Sequence, residues 1–153
     1  MFNKETKELE QILENTHSND ISKYLKDNEE DLLKNYDFMK YMNDRIKEKG
    51  LRKTNIYREA DIKEGYGSKL LTQEKKTRQR DIILRICYAA NFTLQETQQA
   101  LKLYHMEQLY ARNERDVVLM IAFNEHKETL EDINKKLEEM GMSELRKCGK
   151  QEQ

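Results

Sequence analysis

The sequence has no proline, no tryptophan, only five glycines and only two cysteines in 153 residues. Without proline no helix is interrupted by a missing amide, and with so little glycine there is little material for flexible linkers. No uninterrupted apolar run approaches the roughly 20 residues that a membrane-spanning helix needs. The opening residues, MFNKETKELEQ, turn polar at once and hold no apolar signal segment. A cytoplasmic protein with no membrane partner is therefore the expectation. Cys87 lies among apolar residues and reads as a small core filler, while Cys148 falls in a polar tail, so no disulfide is expected between them. No stretch alternates apolar and polar residues, and no hairpin turn joins β-branched runs, so strands are not expected either. What is present suits helices: hydrophobic residues and charged residues each make up 37%, a modest core under a heavily charged surface. The fold class expected is all-α.

The residues of catalysis are also sparse. His17, His105 and His126 stand far apart, and none has the histidine partner four residues away that a metal-binding helix uses. Each is expected on the surface or between helices. The GYG at 65–67 lacks the spacing of a phosphate-cradling loop. The acidic run DNEED at 27–31 lacks the alternating ligands and the glycine of a calcium loop. Tyr41, Tyr57, Tyr88 and Tyr104 fall on apolar helical faces and read as core. No active site, metal or cofactor is expected.

Helical spacing runs along the whole chain. Leu9, Ile12 and Leu13 share one face between Asn3 and Glu14; NTHSND at 15–20 reads as a turn. Ile21, Tyr24 and Leu25, followed by Leu32 and Leu33, continue the pattern. Phe38, Met39, Tyr41, Met42 and Ile46 form a third face, closed by Gly50 as a C-cap. The C-terminal half repeats itself at a period of 35 residues that becomes 36 after one insertion. Arg80-Asp81 matches Arg115-Asp116; Ile82, Ile83 and Ile86 match Val117, Val118 and Ile121; Leu94, Leu101, Met106 and Leu109 match Leu130, Leu137, Met142 and Leu145. Each copy holds two helices, the second opened by a threonine capping box, Thr93 with Glu96 and Thr129 with Asp132. A single helical hairpin cannot bury its own apolar face, so the two are expected to stack, with equivalent residues facing the core.

Charge is unevenly spread. Residues 45–80 carry twelve Lys and Arg against five Asp and Glu, between two segments of net negative charge. That is the footprint of an anionic partner touching one region, or equally a solvated helical surface. Within it, Lys53 to Ala60 and Glu64 to Leu71 read as short helices joined at Asp61-Ile62-Lys63, with Ile56 facing inward and Ile62 as an apolar plug. Lys63, Glu64, Gly65, Ser68 and Lys69 point outward, while Tyr66 and Leu70 pack. Arg52, Lys53, Lys75, Lys76, Arg78 and Arg80 flank the second helix, where they are expected as phosphate contacts that set register.

From Phe38 to Leu101 this arrangement resembles the helix-turn-helix domain of the Cro and lambda-repressor type, often called Xre-like. The family's Gly-Leu appears as Gly50-Leu51, its inward leucine as Ile56, its small residue before the turn as Ala60 and its aliphatic plug as Ile62. Its exposed Ser-Arg pair looks like Ser68-Lys69, and TRQRDIILRICYAANFTLQET at 77–97 resembles its continuation, in which an Arg-Asp pair opens the fourth helix. The resemblance implies a five-helix lambda-repressor-like domain over 37–110, preceded by a helical arm at 1–36 and followed by a helical hairpin and polar tail at 111–153. It implies a transcriptional regulator that binds double-stranded DNA, as a homodimer where two half-sites are read. Base or phosphate contacts would come from Arg52, Lys53, Lys63, Glu64, Ser68, Lys69, Lys75, Lys76 and Arg78. A protein-docking module that keeps the fold without reading DNA is the alternative.

Several positions depart from the family pattern. Lys53 replaces a glutamine, Tyr57 a small alanine, Asp61 the turn glycine, and Gly67 a β-branched residue; Glu74 and Arg78 stand where a loop glycine and a proline are usual. Asp61 is expected to accept the left-handed backbone of the turn. Gly65 and Gly67 together weaken their helix by roughly 1–2 kcal/mol of propensity, so Gly67→Ala is expected to stabilise it.

Overall fold

The computed structural model describes residues 3–32 and 37–147, and among them every regular element is helical. The chain divides into two compact units, Met1–Asp37 and Phe38–Gln153. Cys148 and Leu33 lie outside the described residues.

The first unit holds α1 (Thr6–Glu14) and α2 (Ile21–Asp27), with 3-10 turns at Ser18–Asp20 and Glu29–Asp31. The apolar spacing that continues to Leu32 does not prolong α2, which stops at Asp27. The acidic run that follows serves as a clip. The Asp31 carboxylate accepts from the amides of Asn3 (2.5 Å) and Lys4 (2.8 Å), and the Lys4 ammonium donates to the Asn28 side chain. Neither α1 nor α2 has a buried residue; Ile21 and Leu25 are 55% and 49% exposed.

The second unit holds α3 (Phe38–Glu48), α4 (Lys53–Ala60), α5 (Glu64–Leu71), α6 (Arg80–Ala89), α7 (Leu94–Leu103), α8 (Glu114–Glu125) and α9 (Leu130–Glu139). Gly50, at φ +66°, ends α3 in the backbone that glycine adopts most readily. The run IILRICYA makes α6 the central helix: every residue from Ile82 to Ala89 is buried. Cys87 is fully buried there, and desolvation pushes its thiol pKa far upward, as befits a packing residue. Around α6 lie α4, α7 and α9. Phe38 meets Tyr104 edge-on at 4.7 Å between ring centroids, and Tyr41 meets Phe92 at 6.3 Å, so α3 fills the groove beside α7.

Arg85, 2% exposed, crosses the core as a buried cation. It donates to the carbonyls of Ala60 (3.1 Å), Leu145 (2.7 Å) and Arg146 (2.8 Å). One guanidinium thereby joins the end of α4, the middle of α6 and the segment after α9.

The two copies of the repeat pair reciprocally. Arg80 holds Asp116 through two bonds (2.6 and 3.3 Å), and Arg115 holds Asp81 through two bonds of 3.0 Å. The Tyr110 amide donates to Asp116 and the Arg146 amide to Asp81. Arg80 reaches the Gln108 carbonyl, and Arg115 that of Glu144. The Gln98 side chain clamps the backbone of Leu109, while Asn134 accepts from the Leu145 amide. Both capping boxes are closed. Most of these bonds thus have a counterpart displaced by the repeat period, the Gln98 donation to the Leu109 carbonyl being an exception, as in an isologous interface folded into one chain.

The copies differ in what covers them. Ile82, Ile83 and Ile86 are fully buried, whereas Val117 and Val118 are partly exposed and Ile121 is 52% exposed. The expectation that equivalent residues face the core fails here, because α3 fills the first groove and no other described helix of the second unit fills the second. Leu101 and Leu137, on the inner faces of α7 and α9, are both fully buried.

Candidate nucleic-acid interface

The join between α4 and α5 is built by backbone chemistry at Asp61. Asp61 adopts φ 57° and ψ 48°, a left-handed conformation that aspartate tolerates better than most residues. Its amide donates to the Arg58 carbonyl (3.1 Å), and the Ile62 amide donates to the Tyr57 carbonyl (2.9 Å), which ends α4 and turns the chain. Ile62, 6% exposed, then plugs the corner. The exposed ammonium of Lys147 hydrogen-bonds the Asp61 carboxylate and holds its pKa below the usual range.

α5 buries Tyr66, Gly67, Leu70 and Leu71 against α4 and α3. Glu64, Gly65, Ser68 and Lys69 are left on its exposed face. Arg52 and Lys53 open α4, Lys63 immediately precedes α5, and all three are exposed. In the loop after α5, Lys76 and Arg78 are exposed and Lys75 is partly so. Exposed cations thus open α4, precede α5, lie on its outer face and follow it in the loop. Glu59, Glu64 and Glu74 are exposed as well.

Arg80 is a correction. Expected as a phosphate contact, its guanidinium is held by the buried carboxylate of Asp116. Arg58 is an addition: exposed on α4, it donates to the Asn55 side chain (2.9 Å). Ile56, Tyr57 and Ala60 define the inward face of α4, which leaves Arg58 outward; that periodicity was available in the sequence.

Gly67 is the second correction. A β-carbon there would stand 2.5 Å from Cδ1 and 2.7 Å from Cε1 of Tyr57. Tyr57 is 3% exposed, so the ring that would have to shift is itself buried. The glycine admits the ring beneath α5, and the gain expected from Gly67→Ala is reversed. At Gly65 a β-carbon would meet nothing within 4 Å.

The remaining polar features are structural. His126 stacks on the Tyr88 ring at 4.3 Å, with its Nε2 3.2 Å from the Tyr88 carbonyl, while His17 and His105 are exposed. No cluster of three or more His, Cys, Asp or Glu side chains suited to a metal occurs among the described residues, and no described helix is long and apolar enough to cross a membrane. In comparisons with protein-family models, curated proteins and solved structures, nothing matches this chain.

Proposed function

We propose that this chain is a DNA-binding transcriptional regulator, a divergent helix-turn-helix protein of the Xre-like type, with α5 as the helix that enters the major groove. The observation that carries the reading is the coincidence of the tightly turned α4–α5 pair with exposed cations on both flanks of α5. A helix with its side chains is about 10–12 Å across, and a major groove of about 12 Å width admits it. Glu64, Ser68 and Lys69 face the base edges in this reading. Arg52, Lys53, Lys63, Lys75, Lys76 and Arg78 meet phosphates and set the register.

A salt titration on random and selected duplexes tests it. Affinity should fall steeply with salt, because each phosphate neutralised releases counterions. Lys53→Ala and Lys76→Ala should each flatten the slope by about one unit and weaken all sequences alike. Ser68→Ala or Lys69→Ala should instead relax discrimination, costing about 1–3 kcal/mol on the preferred site where a base contact is lost. Absence of duplex binding even at about 50 mM salt, where electrostatic attraction is strong, would sink the reading. A protein-docking module would then stand in its place, favoured by the open apolar groove on α8 and α9.

A further inference from the structure

The groove along α8 and α9 carries an inference that does not depend on DNA binding. It has a volume of about 640 Å³ and is lined by Val117, Val118, Ile121, Ala122, Met140 and Met142. Through the repeat, these residues correspond to Ile82, Ile83, Ile86, Cys87, Tyr104 and Met106. In the first copy that site is occupied by α3: Phe38 lies edge-on to Tyr104, and the Tyr41 hydroxyl donates to the Glu96 carbonyl at 3.2 Å. The molecule thus contains a filled version of its own open groove, and the filled one specifies the occupant.

The occupant's sequence occurs a second time in the chain. α3 begins FMKYMND and α2 reads ISKYLKD. Lys, Tyr and Asp coincide, isoleucine stands for phenylalanine, and leucine for methionine. Ile21, Tyr24 and Leu25 therefore repeat the spacing by which Phe38, Tyr41 and Met42 enter the first groove. Ile21 and Leu25 are exposed on the first unit and Ile121 on the second, and a second copy brings an α2 to each groove.

We propose that two copies of this chain associate by exchange, α2 of each lying in the α8–α9 groove of the other. Ile21 takes the place against Met140 that Phe38 takes against Tyr104, and Tyr24 reaches toward the Asp132 carbonyl as Tyr41 reaches toward that of Glu96. Two such contacts about a two-fold axis close the assembly at a dimer and leave no groove open for further growth.

The experiment is sedimentation equilibrium on the full chain across the micromolar range. The wild type should show a doubled mass that dissociates on dilution. Ile121→Glu and Leu25→Glu, both at exposed positions, should each raise the dissociation constant at least tenfold while helical content, and the melting temperature measured in dilute, single-chain conditions, stay unchanged. Mixing the two variants should restore a two-chain species of intermediate affinity, because an intact α2 on one chain meets an intact groove on the other. A wild type of single-chain mass at every concentration overturns the proposal. So does a dimer that survives Ile121→Glu, or a mixture of the two variants that stays dissociated; a dimer lost in Ile121→Glu but kept in Leu25→Glu overturns it too and would mean that groove meets groove instead.

Discussion

Tyr57 and Gly67 divide one space between them: a ring on α4 occupies the volume that a side chain on α5 would otherwise fill. Each looks unfavourable taken singly, a bulky residue where a small one is usual and a glycine inside a helix. Together they fit. Gly67→Ala should therefore destabilise the protein by about 1–3 kcal/mol, the range of overpacked cores. Gly65→Ala, in the same helix but facing open space, should stabilise it by about 0.5–1 kcal/mol. Denaturant unfolding of the two variants checks both signs, and equal effects would refute the packing argument. Nothing in the local sequence separates these glycines, since the difference lies in a neighbour ten residues away in the chain. That is why propensity alone gives the wrong sign at Gly67.

Among the elements, local chemistry made α4 and α5 legible to the residue. Their inward faces repeat at helical spacing, and Asp61 supplies a turn whose conformation depends on that residue alone. The repeat was legible as an alignment of Arg-Asp pairs, but not the exchange by which Arg80 takes Asp116 and Arg115 takes Asp81; alignment pairs like with like and is silent on contact. It also misplaced Ile121, because whether a face is covered depends on a third element, and only the first copy has α3. The asymmetry is measurable. Ile86→Ala should cost about 2–5 kcal/mol, as buried truncations do, whereas Ile121→Ala in dilute, single-chain conditions should stay within about 1 kcal/mol, nearer the effect of a surface change. Leu101→Ala and Leu137→Ala, equivalent and equally buried, should instead lose similar amounts in thermal or denaturant unfolding. A costly Ile121→Ala at low concentration would contradict the open groove.

At the scale of the whole molecule, the features hardest to foresee are those that tie distant parts of the chain. The basic segment at 45–80 and the helical class follow from composition and spacing. The destination of Arg85 does not: its acceptors lie 25 residues before it and 60 and 61 residues after it. That guanidinium has a consequence in time. A chain emerging from its N-terminus first presents α6 with its apolar faces and Ala60 already available, yet the carbonyls of Leu145 and Arg146 that accept from the cation do not exist until those residues have been made. Burying Arg85 earlier would leave a charged group short of partners, at a cost of several kcal/mol. The bonds from α6 to the segment after α9 therefore form only once Leu145 and Arg146 have been made.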